Sequence, residues 1–206
     1  MGLYSKYLFP RILDWAMRGE DMEEQRRLVL SEAKGEVFEI GFGTGLNLRH
    51  YPATVTRVTV ADKNPAMHKI AQRRIAESPL EVEHHVMDGQ ELPLDDASFD
   101  NVVCTFTLCS IPDVSKALSE LRRILRPGGK LLFIEHGLAD DAKLQRWQHR
   151  LTPLQKMIGD GCRLNRNIGE IIRDARFRIA QLDNFYMPNE PRLFGYIYRG
   201  VAVKDA

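Results

Sequence analysis

The sequence predicts an α/β fold, a doubly wound parallel sheet with helices on both faces. Three observations lead there. Short apolar or β-branched runs alternate with stretches of helical periodicity between Asp21 and Glu135. The right-handed crossover rule then winds the connecting helices onto both sides of the sheet. With 206 residues, 44% of them apolar, the chain has material for one domain with its own core.

Element by element, Asp21 with Glu24 three positions on reads as a capping box opening a helix to about Ala33. EVFEI, Glu36 to Ile40, is the first strand, and a helical piece around Leu46 to His50 follows the glycines. RVTVA, Arg57 to Ala61, is β-branched and forms the second strand. Asn64 then Pro65 starts a helix whose buried face carries Met67, Ile70, Ala71 and Ile75. Leu80 to Val86 alternates and forms the third strand, and Phe99 to Phe106 the fourth. Asp113 caps a helix with apolar positions at Val114, Ala117, Leu118, Leu121 and Leu125. Pro127, Gly128 and Gly129 end it, and KLLFIE, Lys130 to Glu135, is the fifth strand. Beyond His136 the spacing suggests helices over Leu144 to Leu151 and Ile168 to Ala175, and strands near Arg178 to Asp183 and Leu193 to Val203.

Composition narrows the function classes. The net charge is +1 and no nucleic-acid module is present, so no nucleic-acid partner is expected. Glu81 to Asp100 holds seven acids without a Lys or Arg, while Lys143 to Arg178 holds nine basic residues against three acids. These are two solvated faces, or the basic one meets an anionic substrate or lipid headgroups. Cys104, Cys109 and Cys162 form no CxxC pair and their odd number fits free thiols in a reducing, cytoplasmic setting. No signal peptide is expected, and no apolar run approaches the roughly 18 residues of a membrane-spanning helix. His84 and His85 point to opposite faces of a strand, and there is no metal-ligand spacing, so no metal is expected.

The chemistry is concentrated in EIGFGTGLNLRHY, Glu39 to Tyr51. Gly41, Gly43 and Gly45 directly follow a strand, at the edge where open α/β sheets bind ligands. Asp62, twenty-one residues after Gly41, ends the next strand, where a carboxylate can accept both hydroxyls of a ribose. The spacing is G-x-G-x-G, and the third glycine of the dinucleotide pattern falls on Leu46. No Lys or Arg stands nearby to balance a diphosphate, and Glu39 suits a cationic ligand better. A nicotinamide oxidoreductase and a non-catalytic cofactor-binding module remain the competing classes.

VFEIGFGTG resembles the first motif of class I S-adenosylmethionine-dependent methyltransferases, and VTVADKNPAM the second. MDGQELPLDDASFDNVVCTFTLCSI resembles the third and fourth, and LRRILRPGGKLLFIEH the fifth. Within that superfamily the chain is similar to the quinone- and phospholipid-modifying branch. VVCTFTLCSI, IEHG and DGCRLNR are closer still to mammalian methyltransferase-like proteins associated with alkyl thiol methylation. Those carry an N-terminal membrane anchor, for which no counterpart is expected here.

The resemblance implies a Rossmann-like sheet of seven strands, the last antiparallel, in one domain over 1–206. Residues 1–34 would be a helical lid, 35–137 the cofactor core and 138–206 the acceptor side. The cofactor would be S-adenosyl-L-methionine, leaving as S-adenosyl-L-homocysteine. Gly41, Phe42, Gly43 and Gly45 would approach its methionine portion and Glu39 its ammonium end. Asp62 would hold the ribose, Lys63 flank the adenine, and Asp88 with Gly89 receive the adenine ring. Thr105 would sit beside the transferred methyl. His136, after the fifth strand, is the candidate catalytic base. Tyr4, Tyr7, Asp160, Cys162 and Asn165 would meet a small-molecule acceptor. A thiol is the first choice of acceptor, and a phospholipid amine or quinone precursor the second. The sequence leaves the oligomeric state open.

Overall fold

A computed structural model describes residues 3–205. Seven strands form one sheet in the order β3-β2-β1-β4-β5-β7-β6. They are β1 (Glu36–Ile40), β2 (Arg57–Ala61), β3 (Glu81–His85), β4 (Phe99–Thr105), β5 (Leu125–His136), β6 (Arg178–Tyr186) and β7 (Tyr196–Val203). β1 to β5 pair in parallel, and β7 runs antiparallel between β5 and β6. The order reverses between β1 and β4, which opens a crevice beyond their carboxyl ends.

Away from the bulges in β4–β5 and β6–β7, the strands alternate between two cores. Phe38, Val102, Cys104, Leu131 and Phe133 face one side, packed under α4 (Val114–Ile124) and α6 (Ile168–Asp174). Val37, Val58, Val60, Val103, Leu132 and Ile134 face the other. There they meet α2 (Glu20–Leu30) and α3 (Pro65–Glu77). Such two-sided burial explains why these strands read as nearly continuous apolar runs. A π-helical turn, Tyr4–Leu8, leads into α1 (Phe9–Ala16), and α5 (Ala142–Ile158) follows β5.

Asn64 and Asp113 cap α3 and α4 as expected, accepting from the amides of Ala66 and Lys116. Other expectations need correction. α2 starts at Glu20 behind Gly19 with no side-chain cap, because the Glu24 carboxylate is engaged by Arg27 at 2.6 and 2.8 Å. The piece behind the glycines is one 3₁₀ turn, Leu48–His50, stopped by extended Tyr51 before Pro52. Leu125 is a strand residue: α4 ends at Ile124, and Leu125 pairs with Phe99. The ladder then bulges through Gly128, whose φ is 76°, and resumes at Lys130 opposite Asn101. α5 runs on through Pro153 to Ile158, tolerating one missing N–H.

Candidate active site

A cavity of about 770 Å³ opens over the carboxyl ends of β1, β2, β4 and β5. Its floor is the glycine loop, in which Gly41, Gly43 and Gly45 all have positive φ (69°, 58° and 81°). At Gly41 a Cβ would lie 1.9 Å from the Thr107 hydroxyl, so the loop passes too close to β4's continuation for any side chain. At Gly43 a Cβ would meet nothing nearer than the Gly41 carbonyl at 3.8 Å; bare main chain faces the cavity there. Gly45 lies outside the lining, its missing Cβ making room for the Phe42 ring.

The Gly43 N–H donates to the Asp62 carboxylate at 2.8 Å, and the Asn64 N–H donates to the same group at 2.7 Å. Burial raises the Asp62 pKa while these two amides pull it down. The Lys63 ammonium is exposed and reaches across to Asp88 at 2.7 Å. Burial pushes the Asp88 carboxyl up, but Lys63 and Gln90 outweigh it and hold it at about 2. Gly89 follows, where a Cβ would press on the tip of Ile40. Glu39, Phe42, Asp62, Lys63, Asp88, Gly89 and Thr105 all line the cavity.

Glu39 belongs to a buried polar chain that the sequence only half discloses. Arg26 on α2 donates to Asn47 at 2.7 Å and to Thr105 at 3.2 Å. Asn47 donates to Glu39 at 2.8 Å, and the Tyr51 hydroxyl donates to the other Glu39 oxygen at 2.6 Å. Burial lifts the Glu39 carboxyl to about 7 against the pull of Tyr51, Asn47 and Arg26. Burial likewise depresses Arg26 to about 10, opposed by Glu39. Arg26 is 4% exposed and its Nε has no partner, although the residue lines the cavity. The signal was present: Met22, Arg26, Val29 and Leu30 share the buried spacing of α2.

On the far side, the loop after β4 is gripped from both poles. The Glu135 carboxylate accepts the N–H groups of Thr107, Leu108 and Cys109 at 2.7, 2.9 and 3.2 Å. The Arg166 guanidinium donates to the carbonyls of Leu108, Ile111 and Pro112. Glu135 and Arg166, neither anticipated from sequence, thus fix Cys109. Its sulfur, a ring nitrogen of His136 and the Cys162 sulfur lie within 4.8 Å of one another. Cys162 Sγ and His136 Nε2 are 2.8 Å apart. The Cys109 thiol sits well below its ordinary pKa, through a hydrogen bond from Cys162 and the nearby His136. Burial works against the His136 imidazolium, but facing Cys109 raises it to about 9.

Asp160 also lines the cavity, and its carboxylate accepts from the Ser5 hydroxyl at 2.7 Å. Three expected acceptor contacts fall elsewhere. Tyr4 turns away to donate to the Ile158 carbonyl at 2.6 Å, and Tyr7 is exposed. Asn165 meets His149 at 3.1 Å outside the lining. The N-terminal wall comes instead from Phe9, Leu13, Ala16 and Met17, because the apolar side of α1 faces the cavity.

Residues 38–133 match the family model described as a methyltransferase domain. The chain is 36% identical over 191 residues to the human thiol S-methyltransferase TMT1B, covering 84% of this chain and 78% of that one. It is 32% identical over 146 residues to the phosphatidylethanolamine N-methyltransferase of Cereibacter sphaeroides, covering 68% and 71%. The fold superposes on the crystal structure of a SAM-dependent methyltransferase from Aquifex aeolicus with a TM-score of 0.67 at 18% identity, covering 94% and 97%.

Proposed function

Because the chain belongs to the class I S-adenosylmethionine-dependent methyltransferases, we propose that it methylates a small lipophilic acceptor, a thiol in first place. The single observation carrying the cofactor half is the juxtaposition of Gly43 and Asp62, joined at 2.8 Å on the floor of the cavity. The residues fit S-adenosylmethionine: a main-chain floor without side chains, a carboxylate for the ribose, and a buried guanidinium with a free N–H. When bound, that cofactor supplies a methyl group on a positively charged sulfur.

In this reading each side chain has a defined task. Asp62 accepts the ribose hydroxyls, Asp88 the adenine amino group, and Gly89 leaves space for the ring. Arg26 receives the carboxylate of the methionine portion and Glu39 faces its ammonium through Asn47. Thr105 stands at the point of transfer. The chain positions the reactants and excludes water, which supplies much of the acceleration for an already reactive sulfonium.

The acceptor side is apolar, with Phe9, Leu13, Met17, Met187 and Phe194 among its walls. It is interrupted by Cys109, His136, Cys162 and Asp160. An apolar body with one soft reacting atom suits that surface, and the thiol S-methyltransferase relative supports the choice. His136 stands at the acceptor end as one member of a cluster with Cys109 and Cys162. A phospholipid amine is the second reading. Exposed Ile12 on α1 and Met157 and Ile158 on α5 stand on helices that wall the cavity, and α5 also carries Lys143, Arg146, Arg150 and Lys156, a surface that would meet anionic lipid. Among the described residues no helix is long and apolar enough to cross a membrane. Three free thiols suit the cytoplasm.

The test is incubation of purified protein with labelled cofactor and a panel of alkyl and aryl thiols, with phosphatidylethanolamine vesicles in parallel. Thioether formation is expected. Labelled lipid without thioether would reverse the ranking.

A further inference from the structure

We propose that Cys109, His136 and Cys162 bind a soft divalent metal ion, Zn²⁺ foremost, whose remaining coordination position takes the acceptor's sulfur. The proposal rests on the thiol reading above and deepens it. The three donors come from three elements: the loop after β4, the end of β5 and the loop after α5. They lie 27 and 26 positions apart, so no motif spacing announces them. All three line the cavity.

The cluster is a built one. Cys109 is held by its own N–H on Glu135 and by Arg166 on the neighbouring carbonyls. Its carbonyl accepts from the Arg163 amide at 3.1 Å, which ties the Cys162 loop to it. Cys162 follows Gly161, whose φ of 100° turns the chain back so that the sulfur meets His136. Zinc sits about 2.3 Å from thiolate sulfur and about 2.0 Å from imidazole nitrogen, which separates ligand atoms by about 3.5 Å. The trio already lies within 4.8 Å, so side-chain rotation suffices, with the 2.8 Å Cys162 to His136 contact opening as the ion enters.

The donor set selects the metal and its role. Two thiolates and an imidazole favour zinc-like ions over magnesium or calcium. Three protein ligands with a fourth position open to a cavity is the arrangement of catalytic zinc, whereas structural zinc is closed by four. Two thiolates and a neutral imidazole cancel the ion's charge, so an uncharged unit results, the form an apolar wall tolerates.

The step balances without a redox partner. The acceptor's S–H coordinates and releases its proton to solvent, since a metal-bound thiol is deprotonated at neutral pH. A sulfur lone pair then forms the new S–CH₃ bond. The methyl bond to the cofactor's sulfur breaks, its electron pair stays on that sulfur, and S-adenosylhomocysteine results. The product thioether carries no charge, binds the metal weakly and leaves.

The test is titration of reduced, metal-stripped protein with Co²⁺ alone, followed by absorption. About one equivalent should produce thiolate-to-cobalt charge transfer and the bands of a tetrahedral ion. Cys109→Ser and Cys162→Ser should abolish them, His136→Gln should weaken them, and Cys104→Ser should leave them intact. Retained thermal stabilisation by S-adenosylhomocysteine shows that each variant is folded. Adding a small alkanethiol should shift the bands, while the matching alcohol should not. Absent bands, bands surviving both cysteine changes, or bands indifferent to the thiol overturn the proposal. Thioether formation is scored separately. Bands that respond to thiol without any thioether sink the methyl-transfer reading and spare the site. Full thioether formation by metal-stripped protein spares that reading and sinks the site.

Discussion

Asp62 and Gly43 are joined by a 2.8 Å hydrogen bond from the Gly43 amide, so one carboxylate both tethers the glycine loop and faces the cavity. Asp62→Ala removes the tether and, with it, the proposed ribose contact. Charged hydrogen bonds of this kind contribute about 1.5–3 kcal/mol, so S-adenosylhomocysteine affinity should fall roughly 10- to 150-fold in calorimetry. Asp62→Asn should lose less, because its amide oxygen can still accept from Gly43. Unchanged affinity in Asp62→Ala would remove the basis for the nucleoside position.

With Glu39 facing the ligand's ammonium as proposed, cofactor binding should depend on pH. Its carboxyl is raised to about 7, so it is mostly protonated at pH 5.5 and mostly ionised at pH 7.5. A ligand ammonium favours the ionised form, so affinity should tighten as pH rises, by about tenfold over that interval. The ligand's amino group is that of a free amino acid and stays an ammonium across this interval, so the carboxyl is the group that titrates. Calorimetry at the two pH values should show this gain in the wild type and a flat response in Glu39→Gln.

Arg26 should read the cofactor's carboxylate. Arg26→Met keeps the aliphatic stem and removes the unpartnered N–H. S-adenosylhomocysteine should then bind about 10- to 100-fold more weakly. The decarboxylated analogue should bind wild type and variant alike. Equal losses for both ligands would assign Arg26 to holding Asn47 and Thr105 only.

Gly41 tests the floor itself. Gly41→Ala places a methyl against the Thr107 side chain at a φ of 69°. Overpacking and backbone strain together should cost about 2–4 kcal/mol, lowering Tm by roughly 5–15 °C. Gly43→Ala meets no such neighbour. It should retain more stability yet lose cofactor affinity, because its methyl enters the cavity.

The stretch from Glu36 to His136 was legible because each strand is short, apolar and punctuated by Gly, Pro or a capping Asn or Asp. β1 and β2 have the bounds that their β-branched runs suggest. Leu125 misled because an apolar residue at helical spacing fits a strand start equally well, and its burial is the same in either. The ends of α5, β6 and β7 depend on tertiary pairing, which local pattern does not carry. Within the site, residues on strand ends and glycine loops were readable from position. Arg26 stands on the buried spacing of α2, but its role was not readable, nor were Asn47, Glu135 and the convergence of Cys109 with Cys162, because each acquires its role from a partner distant in sequence.

The two walls of the cleft have different origins in the chain. The floor of the cavity is made by the turns after β1 and β2 and is tied internally by Asp62. The opposite wall is contributed by α1, the segment around Asp160 and the residues near Phe194. Drift in those latter segments can retune which molecules are modified while the donor site keeps its shape. A lineage can therefore diversify its chemistry by remodelling its two ends alone, and chimeras that exchange those ends between relatives should inherit the selectivity of the end donor.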